Sequence, residues 1–337
     1  MWAIKRPVLA WCVLLAAGTA AAQTQDAASG WTMPRTADGK PDLRGFWTLQ
    51  TYTPFERPER FEGREFLTEE EFAELTVILT ANGVDPLGAR RAFAAETDDA
   101  DERRQQTLQR DPTHYDNSTW LRTNTPKALS SRRTSLVIDS PDGQIPPLTA
   151  EGERRAAARD EARGFDGYEN RPHQERCLTW THEGPPMTPP PYNDLYQILQ
   201  VPGQVVVFPE LASNPARIIP TDGRPHLSDR IRQWPGDSRG RWEGDTLVVD
   251  TTNFNEKASF RGSSPALHVV ERFTRVDADT ILYRFTVDDE TTWTRPWTVE
   301  IPMVRTEGPI YEYTCHEGNY GMVNTLRGAR RADREGR

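Results

Sequence analysis

The chain has 337 residues and a formal net charge of −9, with 41 Lys and Arg against 50 Asp and Glu. An acidic surface repels nucleic acid and anionic membranes, so we expect neither as a partner. After the first 22 residues no apolar run approaches the length of a membrane span, and the remaining length is enough for one large domain or two modest ones.

The first 22 residues have the order of a secretory signal peptide. Lys5 and Arg6 form a positive start, Val8–Ala17 is an unbroken apolar run, and Ala20–Ala22 is a small-residue cleavage site before Gln23. We therefore expect the protein in the periplasm or outside the cell. The sequence does not predict its oligomeric state.

The cysteines follow from that location. Cys12 lies inside the apolar run and leaves with the signal peptide, so the mature chain keeps Cys177 and Cys315. In an oxidising compartment an even pair predicts a disulfide, which would bring two distant motifs together. A reactive thiol or a metal thiolate is the alternative.

Residues 23–40 are small and polar and are predicted to form a loose leader. One barrel-based domain is predicted for residues 41–330. Its order begins near Pro41, where a turn leads into a strand that contains Phe46 and Trp47.

A helical and irregular insertion is predicted from about residue 54 to residue 127. Within it, Thr68 and Glu71 form a capping box at the start of a helix that Gly83 ends. A second, short and charged helix is predicted from Thr149 through Arg163.

The rest of the chain has the pattern of β structure. Ser135–Asp139 is a short apolar strand before an Asp142-Gly143 turn. The candidate strands from Tyr192 onward are Leu195–Gln200, Gln204–Phe208, Ala216–Pro220, Thr246–Thr252, Leu267–Val276, Thr280–Val287, Trp297–Val304 and Ile310–Thr314. Short, evenly spaced strands separated by turns favour an antiparallel barrel or sandwich. A barrel of about eight strands has an interior wide enough for one small ligand.

Four motifs give the chain a resemblance to a widespread family of exported bacterial proteins with no assigned reaction. They are Pro41–Trp47, Arg133–Thr149, Ser238–Phe254 and Tyr311–Gly321. The resemblance covers most of the mature chain and implies export and a common fold. A weaker likeness, through Gly45–Trp47 at the start of the first strand, is to lipocalin-type barrels, and it favours the barrel over the sandwich.

Gly236–Gly240 matches the G-x-S-x-G pattern of a serine hydrolase, with Ser238 as nucleophile and His268 or His316 as base. That pattern works where a strand enters the serine and a helix leaves it. Here Pro235 precedes the motif and a strand and turn follow it, so a loop that joins strands is the preferred interpretation.

Histidines and glutamates cluster in sequence around the two cysteines, and another histidine follows an Asp-Gly turn. The candidate catalytic residues are His182, Glu183, His226, His316 and Glu317. If the disulfide forms, three imidazoles with carboxylates would be able to carry out acid–base chemistry or to bind copper or zinc. Local hydrogen bonding of ordinary polar residues is the remaining alternative.

Glu271 is a further candidate because its predicted strand places it on one face with Leu267, Val269 and Phe273. A carboxyl group on an apolar face has a raised pKa and is able to act as a general acid. The alternative is a buried ion pair with an arginine on a neighbouring strand, such as Arg284.

Together these patterns predict a mainly β protein, an antiparallel lipocalin-like barrel with a helical and irregular N-terminal excursion. The expected function is an exported, cofactor-independent lyase, hydratase or isomerase that acts on a small organic molecule. A lipocalin-like small-molecule binding protein without catalysis and the serine hydrolase are the alternatives. Copper or zinc is the cofactor considered.

Overall fold

The computed structural model describes residues 30–79, 129–165, 167–180, 182–190, 194–210, 216–258 and 260–336. The predicted signal peptide, the first part of the predicted leader and the predicted helix stop at Gly83 lie outside the described residues. In the part of the chain that is described, none of the helices combines the length and the apolar character needed to cross a membrane.

Three α-helices occur in the described residues: α1 (Glu69–Leu79), α2 (Ala150–Ala162) and α3 (Gly321–Arg334). The predicted capping box is present, because the Glu71 N–H donates to Thr68 Oγ1 at 3.2 Å and the Thr68 N–H donates to Glu71 Oε2 at 2.8 Å. Thr149 caps α2 by accepting the N–H of Gly152 at 3.0 Å. Helix α3 was not predicted, and it extends past the predicted domain end at residue 330. Two single 3₁₀ turns, Glu59–Phe61 and Tyr168–Asn170, complete the helical structure.

Ten strands form a single antiparallel sheet. They are β1 (Gly45–Thr48), β2 (Val137–Asp139), β3 (Leu195–Val201), β4 (Gln204–Pro209), β5 (Arg217–Pro220), β6 (Asp237–Glu243), β7 (Thr246–Thr252), β8 (His268–Arg275), β9 (Thr280–Asp288) and β10 (Trp297–Thr306). Their order across the sheet is β5-β4-β3-β1-β10-β9-β8-β7-β6, and β2 pairs with β10 beside this path. The sheet curls into a nearly closed barrel, which confirms the predicted fold class.

The two edge strands, β5 and β6, meet where the barrel closes. A methyl group on Gly240 of β6 would lie 2.9 Å from Ile219 Cγ2 and 2.8 Å from Thr221 Cγ2. Glycine at this position therefore lets the two edges approach each other.

Two strand predictions need correction. Residues 310–314 form no strand. Instead, the Tyr311 N–H donates to Glu210 Oε1 at 3.4 Å, and the centres of the Tyr313 and Trp180 rings lie 6.0 Å apart. Strand β10 already pairs with β1, β9 and β2, so it offers this segment no further edge. Conversely, β6 begins at Asp237, inside the motif that was interpreted as a loop.

Side chains fill the barrel interior. The inward face of β9 carries Ile281, Tyr283, Phe285 and Val287, as its alternation predicts, and all four are fully buried. Trp297 joins them and contacts the Phe285 ring at 6.3 Å. Because these rings occupy the interior, a ligand site has to be sought at the barrel mouth, where the enzyme hypothesis expected its substrate.

Candidate functional site

The predicted disulfide is present. Cys177 and Cys315 are bonded, with their Cα atoms 5.7 Å apart, across a sequence separation of 138 residues. The bond ties the segment before β3 to the segment after β10. On a chain-entropy model, a loop of this length contributes about 4–5 kcal/mol to stability.

A cleft of about 550 Å³ opens at one mouth of the barrel. Its walls come from α2, from residues 169–174, 179–180 and 183–186 on either side of Cys177, and from the segments next to the ends of β6, β7 and β8. The disulfide therefore anchors the segments that form one wall of the cleft. Its volume falls in the range typical of small-molecule sites.

Aromatic rings form much of the cleft surface. The lining includes His173, Trp180, Trp234, Phe254 and Phe260. Phe260 stacks on Trp297 with ring centroids 6.1 Å apart, and His173 meets Trp234 edge-on at 5.2 Å. The first contact joins the cleft to the barrel core, so this wall is supported by the best-packed part of the molecule.

Charged side chains complete the lining. Four are arginines (Arg159, Arg163, Arg171 and Arg261) and three are carboxylates (Asp160, Glu169 and Glu183). Arg171 is engaged in a two-point pair with Glu175, both hydrogen bonds being 2.8 Å long. Arg163 lies 3.5 Å from Asp160.

The neighbouring candidate residues His182 and Glu183 have different environments in the structure. Glu183 is buried and lines the cleft. His182 is also buried, but its Nε2 faces the Glu210 carbonyl at 3.4 Å and its own carbonyl accepts the Tyr196 hydroxyl at 2.8 Å. Burial lowers the pKa of His182 from 6.5 to about 4, so its imidazole is neutral at physiological pH.

The disulfide does not gather the predicted imidazoles into one pocket. His316 and Glu317 are exposed, in a turn closed by the Glu317 N–H to the Thr314 carbonyl at 3.0 Å. Neither they nor His182 nor His226 belong to the cleft lining. The described ranges contain no group of three or more His, Cys, Asp or Glu side chains arranged to hold a metal ion.

His226 instead belongs to a chain of alternating carboxylates and imidazoles across β6, β7 and β8. Its Nδ1 lies 2.9 Å from Asp237 Oδ2 and its Nε2 lies 3.1 Å from Asp250 Oδ1, while Asp250 Oδ2 lies 3.0 Å from His268 Nε2. Hydrogen bonding to Asp250 raises the pKa of His268, and hydrogen bonding to His268 lowers the pKa of Asp250. Both ring nitrogens of His226 are occupied by carboxylates, which favours a structural role for it.

Glu271 and Ser238 meet in a buried polar network inside the barrel. Arg217 of β5 donates to both Glu271 carboxylate oxygens, one of them at 2.9 Å, and its Nε donates to Ser238 Oγ at 3.1 Å. Tyr283 donates to Glu271 Oε1 at 2.8 Å. Burial and the Glu271 charge raise the pKa of Tyr283.

The ion-pair alternative for Glu271 therefore holds, with Arg217 in place of Arg284, because Arg284 lies on the opposite face and pairs with Glu300. Ser238 Oγ contacts Arg217 and Thr251, and His268 is bonded to Asp250. The general-acid hypothesis requires a free Glu271 carboxyl group, and the serine-hydrolase hypothesis requires Ser238 paired with a histidine. These contacts supply neither.

Sequence reasoning missed most of the cleft. Of the candidate residues only Glu183 lines it; His173 was noted as a neighbour of Cys177 but not chosen as a candidate, and Trp234, Arg159 and Arg261 were not singled out. A usable signal was present for two of them, because Trp234 lies two residues before the Gly236 motif and His173 lies four residues before Cys177.

Comparison with protein-family models, with curated proteins and with solved structures finds no match to this chain. The resemblance of the four motifs to the exported bacterial family therefore stays a prediction.

Proposed function

We propose that this protein is an exported small-molecule-binding protein that takes a flat organic ligand into the cleft at the barrel mouth. The observation that carries the proposal is the aromatic lining of that cleft beside an interior already filled with side chains. The signal-peptide pattern and the disulfide support export.

The rings suit a planar ligand for a physical reason. Trp234 and Trp180 present large apolar surfaces on the cleft wall. An aromatic contact adds about 0.5–1.5 kcal/mol beyond the burial of apolar area. Ring contacts to Trp297 and His173 support the wall and reduce the ordering needed when a ligand binds.

The test uses naphthalene derivatives as probes, with binding followed by calorimetry and by quenching of tryptophan fluorescence. We expect saturable one-to-one binding that weakens about tenfold or more in Trp234→Ala, since that change removes a stacking surface. Trp242→Ala is the matched control, because Trp242 is not part of the cleft lining, and it should bind like the parent protein. Binding that is absent, or equal in Trp234→Ala, would contradict the proposal.

A second candidate function, acid–base catalysis of the lyase, hydratase or isomerase type, is favoured by two groups in the same cleft. His173 and Glu183 both line it. Burial and the Arg176 charge lower the pKa of His173, so its imidazole is neutral at pH 7 and able to accept a proton.

Solvent-deuterium exchange separates the two candidates. An enzyme of this kind should exchange a ligand proton in D₂O, and His173→Gln should abolish the exchange even at a saturating ligand concentration. A binding protein should show saturable binding with no exchange, and His316→Gln serves as the control because that side chain is exposed.

A further inference from the structure

We infer that the C-terminal tail, residues 307–336 after β10, positions one wall of the cleft, with Tyr313 as the positioning residue. The inference rests on the proposed binding function and concerns the support of that same site. Trp180 lines the cleft, and its ring meets the Tyr313 ring edge-on, with the ring centroids 6.0 Å apart. Among the residues that line the cleft in the described part of the chain, none comes from the tail. Tyr313 therefore acts on the site through Trp180.

Two further contacts hold the tail against the segment that carries Trp180. Cys315, two residues after Tyr313, is bonded to Cys177, three residues before Trp180. The side-chain amide of Asn319 donates to Cys177 Sγ at 3.4 Å. Because the covalent bond joins the two segments within a few residues of the ring contact, the tail is a fixed part of this wall.

Trp180 is also held from the side of the barrel. Its ring centroid lies 6.0 Å from that of His182, whose carbonyl accepts the hydroxyl of Tyr196 on β3 at 2.8 Å. The His182 ring also faces the carbonyl of Glu210, and the carboxylate of the same residue accepts the Tyr311 N–H of the tail at 3.4 Å. The indole therefore has one ring neighbour fixed to the barrel and another fixed to the tail.

The segment that carries Trp180 depends on support from outside itself. Between the 3₁₀ turn Tyr168–Asn170 and β3, the described residues contain no helix or strand. Cys177 has φ +54°, a left-handed conformation that is unfavourable for a residue with a side chain and persists where the surroundings impose it. Without the tail, the Trp180 ring would lose one of the contacts that fix its orientation, and a ligand would have to order it on binding.

The experiment measures 2-naphthol binding by calorimetry on the full mature protein with its disulfide intact. Tyr313→Ala should weaken binding by about threefold to tenfold, because the aromatic pair that it removes is worth a free energy of that size. Tyr313→Phe keeps the ring and should bind within about twofold of the parent protein. Tyr320→Ala is the matched control, since Tyr320 belongs to the same tail and is 73% exposed, and it should bind like the parent protein.

Backbone hydrogen exchange, followed by mass spectrometry, tests the positioning without a ligand. The amides of Cys177 and Glu183 both donate to carbonyl groups within their own segment at 3.1 Å. We expect these amides to exchange several-fold faster in Tyr313→Ala than in the parent protein. The Gly236 amide, which donates to the Gln233 carbonyl at 3.2 Å in the segment before β6, should keep the parent rate.

The outcomes separate this inference from the proposed function. If the parent protein binds no naphthalene probe, the proposed function fails, and hydrogen exchange by itself decides whether Tyr313 positions the wall. Unchanged affinity in Tyr313→Ala, where the parent protein does bind, overturns the inference and leaves the binding function standing. Weaker binding without faster exchange also overturns the inference, because Tyr313 would then affect the ligand and not the wall.

Two other variants complete the test. If Tyr313→Phe binds as weakly as Tyr313→Ala, the effect belongs to the hydroxyl group, and the assignment to the ring contact is overturned. If Tyr313→Ala does not fold, Tyr313→Leu takes its place, since it keeps apolar volume and removes the ring. The same weaker binding and faster exchange are expected of Tyr313→Leu, and parent values of both overturn the inference.

Discussion

The five histidines among the described residues have four different environments, although their side chains are chemically identical. His182 is buried against a backbone carbonyl, and His173 lies in the mouth cleft beside Trp234. His226 and His268 are bound to carboxylates on the outside of the sheet, and His316 is exposed. Solvation and partners decide which imidazole is neutral and which is held as a cation.

The buried His182 should make folding stability depend on mildly acidic pH. Its pKa falls from 6.5 in the unfolded chain to about 4 in the folded protein, so between these values only the unfolded chain binds the proton. Stability is therefore lost as the pH falls from 6.5 towards 4, by roughly 3 kcal/mol in total. Urea unfolding of His182→Gln across this range should give a flatter profile than the parent protein. His316→Gln should leave the profile unchanged, and an equally steep profile in His182→Gln would contradict the assignment.

The Asp250–His268 pair should stabilise the folded protein within a window of acidic pH. The raised pKa of His268 means that its contribution is complete below the unfolded value of 6.5 and disappears as the pH rises through the folded value. The lowered pKa of Asp250 means that its contribution is present above 3.8 and disappears as the pH falls through the folded value. The pair therefore stabilises the folded protein most between pH 3.8 and pH 6.5, where both contributions are present.

Asp250→Asn should accordingly reduce stability most near pH 5.5 and least above pH 8, with a difference of about 0.5 kcal/mol because the pair is partly exposed. Thermal unfolding at several pH values measures it, and Asp229→Asn in the exposed loop before β6 is the control. A penalty that grows with rising pH would refute this account.

At the scale of elements, the seam of the barrel, where the edge strands β5 and β6 meet, is held together by hydrogen bonds between side chains. Strands β5 and β6 end the ladder on either side, and Arg217 of β5 reaches across to Ser238, Thr251 and Glu271 on β6, β7 and β8. The network is nearly excluded from water, with Glu271 fully buried. Each buried charge therefore depends on its partner.

Arg217→Met should destabilise the protein by about 3–5 kcal/mol, because it leaves the Glu271 carboxylate buried without its cation. The double variant Arg217→Met, Glu271→Leu should recover much of that loss, since both charges are then removed together. Arg35→Met, which breaks the exposed pair with Asp245, should cost less than about 1 kcal/mol. Denaturant unfolding of the parent protein and the three variants gives the comparison, and a double variant no more stable than Arg217→Met would count against a coupled network.

On the scale of the whole molecule, the barrel supplies rigidity and its mouth supplies the candidate site. The interior rings form one continuous hydrophobic core, from Trp47 on β1 to Trp297 on β10. The cleft lies over one end of that core, and the disulfide anchors one of its walls. This arrangement differs from a barrel that holds its ligand inside.

Phe273→Ala tests that difference. Phe273 is fully buried in the interior, with its ring 4.8 Å from that of Tyr283, and it does not belong to the cleft lining. Its removal should cost about 3–5 kcal/mol of stability. The affinity of the folded variant for naphthalene probes should stay within about twofold of the parent protein, as measured by calorimetry below its melting transition. A large gain or loss of affinity would place the ligand inside the barrel.

Several elements could be predicted because their signals are local. The alternation of Ile281, Tyr283 and Phe285 identified an inward strand face, and Thr68 with Glu71 identified a helix start. The first part of strand β6 was interpreted as a loop because its inward residues include Ser238 and Gly240, whose types are common in loops. The strand predicted at 310–314 failed for the opposite reason: its pattern was suitable, but β10, the strand it follows, already has partners along both of its edges.

The candidate site could be predicted only in part, and the two cysteines show why. Their pairing followed from the signal-peptide pattern and their even number, and the disulfide confirms it. His226 and His316 do not line the cleft, because a disulfide fixes two Cα atoms and leaves the direction of neighbouring side chains to local packing.

The sequence by itself determined the fold class, the covalent link and the expectation of export, since each depends on periodicity, composition or short spacing. Only the tertiary structure decided which polar groups meet. Arg217 and Glu271 are 54 residues apart in the sequence. The cleft takes its aromatic and cationic lining from segments before β3 and between β5 and β8. Such contacts depend on strand order and register across the closed sheet, which are set by the packing of the whole core and not by any short stretch of chain.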